Sequence, residues 1–382
     1  MRICLFDWNQ GGHHAEILRS VAEALRPGAE VVVAAPEAAL TGAGELDARQ
    51  ISLGAGRPRP AAAAAEGIGK AELANEELDL VESVLAEVKP DHLILLWADP
   101  VLRWLLQRPP LPTAVSLYLF IAPIHQGWAY GDWLGPRETA AALFKEMSVM
   151  RWMRRRDAHA LFAFDPEAAR RWARFPRSKS LYLPEPPLNY RTQPLPAAER
   201  NGCLLFGYLD PRKGIDRVAD ALEEGCEGLQ LRLYGEPAPE YADRLQHEIE
   251  RMRAGGVEIE TRLERLPYEE AMDSLAAARV ALLSFGWSAP GSRVLLEAAT
   301  AGTPVVGARI GVVGQRIRRN GLGFAVAPDD PAALRRAIRG LALSPDATER
   351  YEPTLRAYAE RLNSGFHRAQ IRRAFGLAEI PA

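Results

Sequence analysis

Short apolar runs alternate with helix-patterned segments along almost the whole chain, and few folds accept that alternation. In the first half, ICLFD (3–7), EVVVAAP (30–36), HLILLW (92–97), TAVSLYLF (113–120), HALFAF (159–164) and SLYLP (180–184) read as strands. A helix, HAEILRSVAEALR (14–26), follows the first of them, and another, from about 71 to 88, precedes the third. The second half repeats the design with GCLLFGY (202–208), LQLRLYG (229–235), VEIET (257–261), VALLSF (280–285), PVVGA (304–308) and GFAVA (323–327). Helices are expected there near 214–223, 238–254, 268–277, 292–301 and 331–342. Near-continuous apolar strands separated by helices are the pattern of parallel sheets covered on both faces. The expectation is an α/β chain of two Rossmann-like domains with a cleft between them.

A length of 382 residues also exceeds what one core ordinarily serves. The divisions read as an N-terminal domain over 1–184, a linker over 185–200, a C-terminal domain over 201–352 and a helical segment over 353–382. The linker, EPPLNYRTQPLPAAER, is rich in Pro and polar residues and has no period; the last segment can pack back onto the N-terminal domain. The Ala-rich PRPAAAAAEGIG (58–69) reads as a surface loop. A formal net charge of -2 argues against a nucleic-acid binder. Cys4, Cys203 and Cys226 are far apart, with neither a disulfide framework nor a zinc spacing. With no signal-peptide pattern and no long apolar run, the expected compartment is the cytoplasm.

Open α/β sheets bind ligands at loops leaving the carboxyl ends of strands, where helix N-termini favour anions. Three such loops stand out. In DWNQGGHH (7–14), Gly11 and Gly12 permit a tight turn and close approach to a ligand, with His13 and His14 at the helix start. It is not GxGxxG, so a nicotinamide cofactor is poorly supported, and a plain strand-to-helix turn explains it too. In FGYLDPRKGIDRVADAL (206–222), Arg212 and Lys213 stand before a glycine and a helix start, a setting that suits a diphosphate or, equally, a charged surface turn. In GSRVLLEAATAGTPVV (291–306), Gly291 and Ser292 open a short helix that Gly302-Thr303-Pro304 stops. Glu297 lies within it among apolar residues, where a carboxylate is costly unless hydrogen-bonded. A ribose diol offers two donors; a nearby backbone group or an Arg would satisfy it as well.

Together these pieces resemble the retaining, metal-independent nucleotide-sugar glycosyltransferases of GT-B fold, glycosyltransferase family 4. The resemblance covers most of the chain and is strongest in the second half. There FGYLDPRKGIDRVADAL, LRLYGE, LPYEEAMDSLAAARVALLSFG, LLEAATAGTPVVGA and NGLGFAVAPDDPAALRRAI follow the family's order of motifs. The resemblance implies a GT-B architecture, two Rossmann-like domains facing across a cleft. It implies that Lys213, with Arg212 beside it, clamps the donor diphosphate, that Glu297 holds the ribose, and that the amides of Gly291 and Ser292 face phosphate or sugar. Gly11 and Gly12 would admit the phosphate, and His125 of IAPIHQGW (121–128) would touch the transferred sugar. His13, His14 and Trp128 are acceptor-side candidates. Two positions depart from the pattern: Ala289 stands where a second Glu is usual, and Tyr208 where an Arg is common.

The activity so implied is transfer of a hexosyl group from a nucleoside-diphosphate sugar to an acceptor hydroxyl on a glycan, a lipid-linked or a small molecule. It needs no cofactor and no metal. Cations and helix dipoles would stabilise the departing diphosphate, the acceptor would attack from the same face and lose its proton to the leaving phosphate, and domain closure would exclude water. Asp329-Asp330 beside Pro331 reads as a helix cap rather than a metal motif. The basic stretch FKEMSVMRWMRRR (144–156) can rest on an anionic membrane as a peripheral contact, or can bury a Met-lined face beneath solvated arginines. A nucleotide-sugar epimerase would need further carboxylates, and a phosphorylase a free-phosphate pocket. From another class, a catalytically silent nucleotide-sugar binder or assembly subunit stays open, and Ala289 and Tyr208 favour it.

Overall fold

The computed structural model describes residues 1–9, 14–26, 28–58, 68–120, 136–175, 179–186, 194–285, 291–362 and 364–378. The described residues divide into two compact units, one using those up to 186 and again from 362 onward, the other those of 194–361.

The first unit contains strands β1 (Arg2–Phe6), β2 (Glu30–Ala35), β3 (Arg49–Ser52), β4 (His92–Leu95), β5 (Ala114–Leu119), β6 (Ala158–Ala163) and β7 (Lys179–Tyr182). They form one parallel sheet in the order β3-β2-β1-β4-β5-β6-β7. Alternate residues of β1 serve opposite faces. Cys4 and Phe6 join a core with the helix Lys70–Val88, whereas Ile3 and Leu5 join one with the helix His14–Leu25. That explains the continuous apolar runs, since neither face meets water. Strand β3 carries no such run; its RQIS is mostly exposed at the sheet edge, so periodicity gives no sign of it.

The second unit contains β8 (Asn201–Phe206), β9 (Gln230–Tyr234), β10 (Glu258–Arg262), β11 (Ala278–Leu283), β12 (Val305–Ala308) and β13 (Gly323–Val326). Its parallel order is β10-β9-β8-β11-β12-β13. In both units the chain winds outward on one side of its first strand and then resumes on the other. The strand order therefore reverses between β1 and β4 and between β8 and β11, the places where such sheets leave a crevice for ligands. The helix Gly311–Asn320 goes unseen in the sequence reading because two glycines interrupt its pattern. At Gly314 the reason is contact: a Cβ would lie 2.5 Å from the Ala308 carbonyl oxygen. Asp330 does cap the helix Pro331–Ala342, accepting from the Ala333 amide at 2.7 Å.

The expected helix over 353–373 is two helices, Glu352–Arg361 in the second unit and Ser364–Ala374 in the first. Buried Ile371 and Ala374 of the latter join the core that contains the helix His14–Leu25, and a fully buried Ile contributes roughly 1.5–3 kcal/mol. Buried Arg372 donates to the carbonyls of Ala24 and Arg26 at 2.9 and 3.0 Å, satisfying orphan acceptors at that helix's end. His367 lies 3.0 Å from the Ser20 hydroxyl, while His159 Nε2 and Lys179 Nζ both donate to the Ala374 carbonyl at 3.1 Å.

The histidines on and beneath this helix favour their neutral forms. Burial lowers the pKa of His92, and burial together with the charge of neighbouring His92 lowers that of His159. Burial alone pushes His367 down to about 3. Their stabilising contribution is complete above the unfolded-state value near 6.5 and is lost as pH falls below it. We expect the melting temperature to drop as pH is lowered from about 6.5 toward 4, and circular dichroism to show a shallower drop in His367→Gln.

Candidate functional site

The loop after β8 is shaped by three local constraints. Asp210 accepts from the Arg212 amide at 2.9 Å, Pro211 starts a single 3-10 turn, and Gly214 takes a left-handed conformation at φ 64° to enter the helix Ile215–Leu222. This folds Lys213 back over the end of its own strand, where its ammonium donates to the Phe206 carbonyl at 3.0 Å. Gly207 makes room: its φ is +110°, and a Cβ there would sit 3.0 Å from Lys213 Nζ. The adjoining loop after β9 needs glycine more strictly. A Cβ on Gly235 would meet the Gly207 carbonyl oxygen at 1.8 Å.

The loop after β11 supplies the other side of the β8–β11 reversal. Buried Ser284 donates to the carbonyls of Lys213 and Gly214 at 3.2 and 3.3 Å, tying the two loops together. The Phe285 ring lies 5.7 Å from the Lys213 ammonium, within cation–π range. Ser292 occupies the N-cap of the helix Arg293–Thr300, yet its side chain bonds to no amide of the first turn. Gly302 ends that segment at φ +67°.

Glu297, one turn in, is 3% exposed. It has the Arg that the sequence reading offered as one of its two plain explanations: Arg293 Nε donates to Glu297 Oε1 at 3.2 Å, both side chains being buried. The Arg293 guanidinium also lies 5.7 Å from the Tyr268 ring. Glu297 is close enough to Lys213 for its carboxylate to favour the lysine's proton, as Asp210 does more strongly. Burial outweighs both and lowers Lys213 to about 8, with Arg212 pushing the same way.

The structure thus brings Glu297 within electrostatic reach of Lys213, although the two are far apart in sequence. Arg212 is near them, but its side chain is mostly exposed and held by Asp210, at 2.8 Å from Nε and 2.5 Å from Nη2. Tyr208, where the resemblance expects an Arg, is an exposed aromatic. Gly291 directly precedes Ser292 at the helix entrance. Gly11, Gly12, His13, His125, Trp128 and Ala289 lie outside the described residues. In the first unit, His14 opens its helix and its Nδ1 lies 2.6 Å from Oδ2 of Asp7, the residue that follows β1. Sequence reading missed Asp7, Ser284, Phe285 and Arg293. For Asp7 and Ser284 the available signal was a polar residue set directly behind an apolar strand.

The basic helix reads differently in three dimensions. It runs Pro136–Trp152 and ends before the last arginines. Arg155 is taken up by Asp157, at 2.9 Å from Nε and 2.8 Å from Nη2, and by the carbonyls of Leu105, Arg108 and Pro109. The methionines share no face: Met153 is 2% exposed and Met147 56%.

Two doubly wound parallel units, one with cations and a helix entrance at its strand-order reversal, give the chain an α/β fold of GT-B type. Comparison with known proteins narrows this for the second unit. Residues 200–343 match the family described as glycosyl transferases group 1. A glycogen synthase of Mycobacterium tuberculosis is 34% identical over 167 residues, a match covering 43% of this chain and 38% of that protein's length. Over the whole chain, the Anabaena HepE protein in complex with UDP-glucose is similar in fold, with a TM-score of 0.69 at 17% identity over 98% of this chain and 99% of that one. Sucrose-phosphate synthase from Thermosynechococcus elongatus gives 0.68 at 19% identity, with 98% of both chains covered.

Removing the Glu297 carboxylate takes a partner from a buried guanidinium, a change that costs roughly 3 kcal/mol. Urea denaturation should show Glu297→Ala destabilised by about that amount, with most of it regained in the double substitution Arg293→Met/Glu297→Leu.

Proposed function

We propose that this chain is a nucleotide-sugar-dependent hexosyltransferase of the group 1 type, retaining in stereochemistry and acting without a metal or other cofactor. The observation that carries this reading is that Lys213, at the strand-order reversal, feels the Glu297 carboxylate, both inside the segment matching that family. Lys213 would hold the donor diphosphate, Glu297 the ribose, and the amides of Gly291 and Ser292 at the helix entrance the phosphate or sugar. A cation and a helix entrance on neighbouring loops suit charge that grows on a leaving diphosphate. The named neighbours support the donor class: HepE was crystallised with UDP-glucose, and two others are named as a glycogen synthase and a sucrose-phosphate synthase. Exposed Tyr208 favours the second reading, a nucleotide-sugar binder without turnover.

Calorimetry with UDP, GDP, ADP and dTDP, metal-free, tests the reading. One nucleotide should win, and Glu297→Gln and Lys213→Met should each weaken it at least tenfold while remaining folded; no binding by any of the four would overturn it. An anion beside Lys213 raises that lysine's pKa from about 8 again, so only its protonated form binds tightly. Binding should therefore be insensitive to pH below about 8, then weaken and take up protons above it. Titration in buffers of different ionisation enthalpy reads that uptake.

For the acceptor, we propose one presented at an anionic bilayer, with the protein in the cytoplasm. Leu143, Phe144 and Met147 are 44%, 50% and 56% exposed on one helix. Exposed Arg103 lies 5.3 Å from the Phe144 ring, and Arg151 and Arg154 are exposed nearby in sequence. Exposed apolar side chains with an arginine over one of them fit the headgroup boundary. Among the described residues no helix is long and apolar enough to cross a membrane. Vesicles containing phosphatidylglycerol should co-sediment the protein, and Phe144→Ser/Met147→Ser should cut binding severalfold; equal binding to neutral vesicles would count against it.

A further inference from the structure

The end of the first sheet at which its strands begin is closed by the last described stretch of the chain. His92 opens β4, His159 is the second residue of β6 and Lys179 opens β7. The two imidazoles lie 4.6 Å apart, and the Phe375 ring sits 5.4 Å from that of His92 and 5.3 Å from that of His159. Just before it, the Ala374 carbonyl accepts from His159 Nε2 and from Lys179 Nζ. Three side chains able to carry positive charge thus converge on one short stretch, Ala374-Phe375. Near the start of the helix Ser364–Ala374, the Phe366 ring lies 6.0 Å from that of Tyr182, and His367 meets Ser20 of the helix His14–Leu25.

These histidines are placed for their neutral forms. Among the described residues, Nδ1 of His92 and Nε2 of His367 are buried without a hydrogen-bond partner, so a second proton on either ring would have no acceptor. Of the charged groups near His92, Asp91 favours its proton and itself accepts from the Arg2 amide at 2.7 Å, while Lys179 and the amino terminus oppose it. His159 faces His92 and Lys179, both opposing its charge, with the Ala374 carbonyl favouring it. Arg372, on the helix itself, is taken up by the carbonyls of Ala24, Arg26 and Ala378.

Docking of this segment rests on few side chains. Ile371 and Ala374 reach the core, and Phe375 and Leu377 pack against it. The seven strands pair with one another and not with the segment. A helix of 11 residues does not persist alone in water, so once detached it unwinds.

We propose that residues 364–378 form an acid-released latch on the first unit. Protonation of His92 and His159 sets two imidazolium rings and an ammonium against one another at Ala374-Phe375, and the segment comes away while the sheet stays folded. Release uncovers the apolar flank of the helix His14–Leu25 on which Ile371 is seated. Each ring that must stay neutral for docking weakens it by about tenfold one pH unit below the free-histidine value near 6.5. The latch therefore opens before general acid unfolding, and it opens from the end that holds the histidine pair.

Hydrogen exchange of the full-length protein, read by mass spectrometry at about pH 7.5 and about pH 5.5 and corrected for the pH dependence of intrinsic exchange, tests this. At the lower pH the amides of 366–377 should lose about tenfold of their protection or more, while those of β1 and β5 keep theirs. His92→Gln/His159→Gln should leave the segment equally protected at both pH values, since glutamine at 159 retains a donor for the Ala374 carbonyl. Should that variant fail to fold, the native protein decides: the ring resonances of His92 and His159, assigned from the single substitutions, should titrate over the pH range in which protection falls. Equal protection of the native segment at both pH values, loss by segment and strands together, release that persists in the double substitution, or rings that titrate outside the range of release would each overturn the latch.

Discussion

Dry faces on both sides of the inner strands are the constraint from which the rest follows. In β1, Cys4 and Phe6 belong to one core and Ile3 and Leu5 to the other, so the strand has no surface on which to place a polar group. A parallel sheet needs crossover helices, those helices cover the faces, and polar chemistry is left with the strand ends. Asp7, Ser284 and the turn bearing Lys213 stand directly behind strands that would not tolerate them one or two residues earlier. Asp7 and Lys213 each follow the first strand of their sheet, where the order of strands turns back on itself.

The charges at those ends are held, not merely present. Lys213 is bound to its own strand's last carbonyl, lies over an aromatic ring and balances Asp210 and Glu297 against the cost of burial. Glu297 is matched by Arg293, and Asp7 by Asn9 and His14. Buried charges without such partners would shift toward their neutral forms or destabilise the fold. A site so arranged spends little on reorganisation when a charged ligand arrives.

Much of this was legible in the chain itself, because the signals were local. Continuous apolar runs announce buried parallel strands, and turn residues around Lys213 and Glu297 mark loops at their ends. Strand β3 was not legible, since an edge strand of RQIS owes its existence to pairing with β2 and not to burial. The helix Gly311–Asn320 was hidden by Gly314, a glycine required by a neighbouring backbone. Arg293 stood in plain view four residues before Glu297, and the apolar character of the stretch drew attention from it. Asp7 could not be given a role from sequence, because its value lies in total burial and in a ring seven residues away. The arginines after Trp152 misled in the opposite sense: a run of like charges looks solvated until a carboxylate such as Asp157 is found inside the fold.

The helix Ser364–Ala374 completes the first unit with residues encoded after the whole of the second. During synthesis the seven strands of the first sheet leave the ribosome long before the segment that carries Arg372 and Ile371 to the helix His14–Leu25. Until then one apolar flank of that sheet is uncovered, and the second unit has time to fold around its own core. The order of manufacture is therefore not the order of completion: the domain that begins first is finished last, and a nascent chain cut short loses the covering of its beginning before it loses the body of its end.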